Sequence, residues 1–310
     1  MAADSRQSMS AENWGRLLML AVLWGLSFPL IKTAVRELPP LTTLFGRVSI
    51  ATLALGAAIL LTRSAFPRGP GAWRLFFGMG LLSNLIPWGL QFWGQTQLPV
   101  GLASILNAAT PAFSVVVMHL FGAEKATASR AAGVALGFAG VAVLIGPGLL
   151  FGADHALGAE LAFMAACLFY ALSGLFGRRF AQLGMRPLQT AFGLMAATSV
   201  MALPVALIVD RPWLLPAPGL TPIAALLALA LVSTALAYIL FFRILVEAGP
   251  TNVMLVTLLV PVMAIMIGVM FMGETIEPRN LAGMALIAVG LVAIDGRAAR
   301  AWARGGEARR

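Results

Sequence analysis

Asn252-Val-Met-Leu-Val-Thr-Leu-Leu-Val-Pro-Val-Met-Ala-Ile-Met-Ile-Gly-Val-Met-Phe271 contains no acid and no base. A helix of this length rises about 30 Å, the thickness of the hydrocarbon core of a bilayer. Residues 17–31, 75–93, 100–117 and 223–242 are likewise uncharged. Over the whole chain 60% of residues are apolar, only 11% are charged, and mean hydropathy is +0.92. A soluble domain carries about 25% charged residues and needs them to cover its surface. The chain therefore reads as an all-α integral membrane protein whose first partner is the lipid bilayer.

Punctuation by Pro, Gly and charge divides the 310 residues into ten expected spans. These are 14–34, 41–61, 72–94, 100–121, 129–146, 157–177, 187–209, 220–242, 250–272 and 279–296. The polar leader 1–13 mixes Arg6 with acids and runs into an apolar segment without a small-residue cleavage site. It reads as the start of a retained helix rather than a signal peptide. The net charge of +9 is a matter of topology. With the N-terminus placed inside, sixteen Lys and Arg fall in inside segments and four (Lys32, Arg36, Arg211 and Arg279) in outside ones. Arg47 lies within the second span. This positive-inside bias predicts both termini in the cytoplasm and an even number of spans, in a bacterial inner membrane. Bases scattered through short loops give no nucleic-acid footprint. Cys167 is the only cysteine, so no intrachain disulfide forms. The sequence carries no signature of a particular oligomer.

The quoted stretch has a counterpart 150 residues earlier. At that shift Pro111 meets Pro261, Phe121 meets Phe271, Glu124 meets Glu274, Gly133 meets Gly283, Gly140 meets Gly290 and Gly146 meets Gly296. Residues 98–146 and 248–296 share nine identities in 49 positions. Leu26-Ser27 meets Leu172-Ser173 at a shift of 146. Each half, 1–147 and 148–310, holds five spans, and an odd number turns the second half upside down relative to the first. Two inverted five-helix repeats around a central cavity are a recurrent plan of secondary transporters.

The stretch 250–261, the run Met272-Gly-Glu-Thr-Ile-Glu-Pro278 and the run Gly283-Met-Ala-Leu-Ile-Ala-Val-Gly290 resemble the signature region of EamA-type transporters of the drug/metabolite transporter superfamily. Trp24-Gly25-Leu26-Ser27-Phe28 resembles the first-helix motif of that family, and Arg47 with its neighbours its second-helix pattern. The first half carries a weaker copy, with Ala123 before Glu124 where Gly273 precedes Glu274. The resemblance implies ten helices around a central cavity and transport, commonly export, of amino acids, amines or other metabolites.

Polar side chains within spans are costly and turn to the bundle interior. Asn84, Trp88, Gln91 and Gln95 fall at i, i+4, i+7 and i+11, one face of the third helix. A shift of 150 sets Thr234 and Tyr238 against Asn84 and Trp88. Asn107 shares a face of the fourth helix with Ser104 and Pro111, and the ninth offers Thr257 and Pro261. Trp24 and Ser27 match Tyr170 and Ser173. The candidate substrate-binding set is therefore Trp24, Ser27, Asn84, Trp88, Gln91, Asn107, Tyr170, Thr234, Tyr238 and Thr257. A neutral, amide- and aromatic-lined cavity of this kind suits a small amphipathic solute such as an apolar or aromatic amino acid, or a related amine. The same residues also serve as interhelical glue or interfacial belts. Pro111 and Pro261 are expected in mid-helix, either as a hinge or opened backbone near the site or as a static bend that aids packing. Gly133, Gly137 and Gly140 form one close-packing face, as do Gly283 and Gly290. Arg47 either meets a substrate carboxylate or serves structure by snorkelling or binding carbonyls. Glu124 and Glu274 are expected near helix N-termini. None of the twelve acids lies deep in an expected span, which argues against coupling through a membrane-embedded carboxylate. Two distant histidines supply no catalytic cluster, and no Walker A motif appears. An enzyme, a cofactor and a metal site are thus not expected. The rivals to an amino-acid exporter are a multidrug or nucleoside-type exporter and a channel or sensor.

Overall fold

The computed structural model describes residues 10–122, 127–145, 156–180, 184–253 and 255–295. Among these there is no strand. The helical stretches are α1 (Ala11–Ala34), α2 (Pro40–Leu61), α3 (Pro70–Gln97), α4 (Val100–Leu120), α5 (Ala128–Ile145), α6 (Leu157–Phe180), α7 (Pro187–Val209) and α8 (Leu220–Ala248). They continue with α9, in two pieces (Pro250–Val253 and Val256–Met272), and α10 (Pro278–Asp295). Seven of them, α1 to α4 and α6 to α8, are long and apolar enough to cross a membrane. Shorter apolar helices cover Ala128–Leu144, Leu259–Met272 and Pro278–Ile294. Proline opens α2, α3, α7 and α10, where its missing N–H costs nothing. Ser10 caps α1 by accepting from the Asn13 N–H at 3.1 Å.

Two irregularities recur at the internal shift of 150. α3 widens into a π turn at Leu81–Leu85, and α8 does so at Leu231–Leu236. The Ser83 hydroxyl donates to the Met79 carbonyl at 2.7 Å, and the Thr234 hydroxyl donates to the Leu229 carbonyl at 2.7 Å. Positions 79 and 229 are equivalent, so a hydroxyl competes with the backbone ladder at the same point in each half. Insertion of a side chain into the ladder is a recognised cause of such turns. Pro87 adds to the effect in α3 only, since Ala237 stands in its place in α8.

α4 is interrupted beside Pro111, in line with the opened-backbone expectation, although the proline is not in mid-helix. It stops at Asn107 and restarts at Thr110, which puts Pro111 in the first turn of the new segment. Pro261 does lie inside its helix, following the break in α9. The two prolines match in sequence without playing the same role.

The halves meet through equivalent positions. The Ser49 and Ser199 hydroxyls, 150 residues apart, are hydrogen-bonded to each other at 2.7 Å between α2 and α7. In α5 and α10 a Cβ on Gly133 would sit 2.5 Å from the Gly290 carbonyl oxygen, and one on Gly140 would sit 2.7 Å from that of Gly283. The earlier glycine of each helix faces the later glycine of the other, so the helices run antiparallel. Backbone lies directly on backbone there, and only glycine fits. The wider packing follows the same relation: α1 packs on α8 and α9, and α6 packs on α3 and α4.

Acids cap helices of other segments where α2, α4 and α8 begin. Asp210 accepts from the Thr42 N–H at 2.6 Å, Glu37 from the Gly219 N–H at 2.7 Å, and Glu274 from the Val100 and Gly101 N–H groups at 2.6 and 2.9 Å. Each satisfies donors that a helix start leaves unpaired. Glu274 is near a helix N-terminus as expected, and the helix is α4 of the other half. Lys32 closes the same turn from the α3 side, donating to the carbonyls of Gln95 and Leu98 at 2.9 Å each. At the opposite end Arg16 pairs with Glu12 and Glu247. Glu124, Gly146 and Gly296 lie outside the described residues.

Candidate functional site

The π turn of α3 sets Asn84 fully buried between the two halves. Its amide donates to the Thr198 hydroxyl of α7 at 3.1 Å, and its oxygen accepts from the Tyr238 hydroxyl at 3.2 Å. Tyr238 stands one turn beyond Thr234 in α8 and meets Trp88 edge to face, with ring centroids 6.3 Å apart. Trp88 and Tyr238 are equivalent positions, so the expected matched aromatics touch each other. Trp24 of α1 completes the cluster, 6.3 Å from Tyr238 and 5.4 Å from Phe241.

Arg47 is the charged member of this cluster. It is only 4% exposed, and its Nε donates to the Thr234 hydroxyl at 2.7 Å. Its guanidinium carbon lies 3.8 Å from the centroid of the Trp88 ring and 5.7 Å from that of Phe92. The Trp88 distance is well inside cation–π range. Depth along α2 was legible in the sequence, but the convergence on Thr234 and Trp88 was not. Arg47 is accordingly not among the candidate residues that the sequence alone supplies. The signal that pointed to it was a lone base within an apolar run.

A second polar network lies one to two turns away. The Gln91 amide donates to the Asn107 side-chain oxygen at 2.7 Å, and its oxygen accepts from the Tyr170 hydroxyl at 3.2 Å. Asn107 ends the first segment of α4, and Cys167 packs beneath it with Sγ 3.5 Å from the Leu106 carbonyl. The expected single stripe on α3 is therefore divided: Asn84 serves one network, Gln91 the other, and Trp88 lies between. Gln95, on the same stripe, is fully buried, and neither polar atom of its amide has a hydrogen-bond partner among the described residues.

Of the remaining candidates, the Ser27 hydroxyl donates to the Trp24 carbonyl at 2.5 Å, and its equivalent Ser173 donates to the Tyr170 carbonyl at 2.7 Å. Both hydroxyl protons are held within their own helices. Thr257 is half-buried in α9. Trp24, Asn107, Tyr170 and Tyr238 keep partial exposure although they sit deep along their helices. Glu160, in the first turn of α6, is 7% exposed and is a buried acid the sequence reading did not single out. Among the described residues no group of three His, Cys, Asp or Glu is placed to hold a metal ion.

The sequence matches the EamA-like transporter family twice, over residues 14–146 and 157–294. The chain is a member of the EamA-like transporter family. A "Probable amino-acid metabolite efflux pump" of Salmonella typhimurium is 29% identical over 301 residues, covering 91% of this chain and 94% of that one. A protein of the same name in Escherichia coli is 26% identical, again covering 91% and 94%. A "Probable terminal-alkyne amino-acid exporter" of Streptantibioticus cattleyicolor is 26% identical, covering 93% and 95%. A solved crystal structure shares the fold at a TM-score of 0.66 and 20% identity, covering 93% of this chain and 98% of that one. This EamA-family protein is thus a multi-pass membrane transporter and not an enzyme. Its repeated family domain accounts for the matched π turns, serine pair and glycine seam.

Proposed function

We propose that this transporter exports a small amphipathic metabolite, an amino acid with an apolar or aromatic side chain or a related amine, across a bacterial inner membrane by alternating access. The carrying observation is the convergence of Trp24, Asn84, Trp88, Thr234 and Tyr238, drawn from α1, α3 and α8, at the meeting of the two halves. Amides and hydroxyls there offer hydrogen bonds, and three aromatic rings offer apolar walls. The names of three relatives, two probable amino-acid metabolite efflux pumps and a probable terminal-alkyne amino-acid exporter, favour the same substrate class. In this reading α5, α9 and α10 also span the membrane, which gives ten spans. Units 1–147 and 148–310 are inverted about a central cavity, with both termini cytoplasmic. The antiparallel glycine seam and the inside excess of bases support that arrangement. The pathway is lined by the candidate set together with Arg47.

Counterflow in proteoliposomes tests the proposal. Saturable uptake of a labelled amino acid, stimulated by the same amino acid preloaded inside, is expected. Non-saturating flux without counter-stimulation marks a channel. Flux of drugs or nucleosides alone would replace the substrate class.

A further inference from the structure

Arg47 breaks the symmetry of an otherwise matched pair. In one half Asn84 of the α3 π turn bonds to Thr198 of α7. In the other, Thr234 of the α8 π turn is bonded by Arg47 of α2. Position 198 corresponds to 48 at the shift of 150, one residue from Arg47. Each π turn is thus tied to the second helix of the opposite half at nearly the same level. A neutral threonine suffices for one tie, whereas a full positive charge makes the other.

That charge has no counter-ion among the described residues. Arg47 takes part in none of the described ion pairs, which join Arg16, Arg243 and Arg279 to glutamates. Its one hydrogen bond uses Nε, so Nη1 and Nη2 have no hydrogen-bond partner there. A buried cation without a partner anion is costly, and attraction to the Trp88 face offsets only part of that cost. A tie to Thr234 alone does not call for a charge. A planar fork with two unused donors matches a carboxylate.

Resting on the carrier reading above, we propose that Arg47 is the anion receptor of the transport site: its free Nη edge binds the carboxylate of the substrate, while Trp88, Tyr238 and Trp24 hold the remainder. The substrate itself supplies the missing counter-ion. Because Arg47 and Trp88 are both nearly closed off (4% and 5% exposed), the carboxylate enters only when the cluster opens. Loading is thereby coupled to a rearrangement at the point where the two halves meet.

The test compares L-leucine, L-phenylalanine and L-methionine with their carboxamides and with the matched amines that lack the carboxyl group. Binding to the purified full-length protein is read by ligand-induced thermal shift, and transport by competition in counterflow. For the wild type we expect each acid to be preferred over its amide and amine by about 10- to 100-fold, the worth of charge-assisted bonds to a carboxylate. Arg47→Gln should bring that ratio to within about twofold, and Arg47→Lys should restore part of it. A role confined to structure would lower all ligands together and leave the ratio unchanged. Acids, amides and amines handled equally by the wild type would overturn the inference without any variant, so a failure of Arg47→Gln to fold does not shield it. In that case the carrier reading stands. If the wild type neither binds nor moves any of these compounds, the proposed substrate class falls and the inference with it.

Discussion

Substitution of Glu274 by Ala removes the acceptor for two backbone N–H groups at the start of α4. Charge-assisted bonds of this kind contribute about 1.5–3 kcal/mol each when shielded from water. Glu274 is half-buried, so screening reduces the sum, and losses for helix caps are about 0.5–2 kcal/mol. A net cost of about 2 kcal/mol is reasonable, equivalent to roughly 30-fold in an equilibrium constant. Because Glu274 belongs to the second half and α4 to the first, that energy holds the halves together at this end of the bundle. Its loss should favour opening there. Ser104 lies one turn beyond Gly101 and is fully buried. The native Cys167 is also fully buried, so it gives little background for thiol labelling. A cysteine at position 104 should react with a maleimide about 30-fold faster when Glu274→Ala is added, measured on purified protein. Glu274→Gln keeps one carbonyl acceptor and should give roughly a fivefold increase, about 1 kcal/mol. Labelling rates within twofold of the parent for Glu274→Ala would refute the assignment of this cap as a clamp between halves.

Asn84→Ala and Trp88→Ala should each lower counterflow by at least about tenfold while yield and elution profile stay unchanged, because each removes a contact of the central cluster. Normal flux in both removes that cluster from the pathway. Gly140→Val places atoms within the gap to the Gly283 carbonyl, so a loss of more than about 3 kcal/mol is expected. Failure to recover monodisperse protein, or a fall of many degrees in its unfolding temperature, checks this; near-native stability contradicts the close contact. Gln95→Leu should be neutral or stabilising by about 1–3 kcal/mol, since it exchanges an amide with no hydrogen-bond partner for an apolar group of similar size. A marked fall in unfolding temperature would show that the Gln95 amide has a partner in the membrane.

The apolar runs and their punctuation made most of the helix limits legible. The expected span 41–61 corresponds to Pro40–Leu61, and 187–209 to Pro187–Val209. The glycine face was legible because small residues at helical spacing have one common use in membranes. The π turns were not, since hydropathy is blind to a hydroxyl competing for a carbonyl. The expected stripe on α3 assumed an uninterrupted helix. The structure splits its partners between Tyr238 on one side and Asn107 on the other. Glu274 shows a different boundary: its placement at a helix start was anticipated, yet the helix it caps belongs to the other repeat, which no local pattern encodes. Arg47 was legible as an anomaly and became a site only through Thr234 and Trp88, both distant in sequence.

The Ser49–Ser199 bond has a further consequence. A residue that meets its own repeat equivalent must tolerate a copy of itself as neighbour. Carboxylates or ammonium groups there would repel themselves, and an indole N–H facing another would lack an acceptor. A hydroxyl both gives and accepts a proton, so it is among the few polar groups that recognise themselves. Along α5 and α10 each glycine faces not its own equivalent but the other glycine of the motif, Gly133 against Gly290 and Gly140 against Gly283, and the absence of a side chain admits both contacts. The seam between the two repeats is thus written in self-compatible letters, although a single polypeptide supplies both sides.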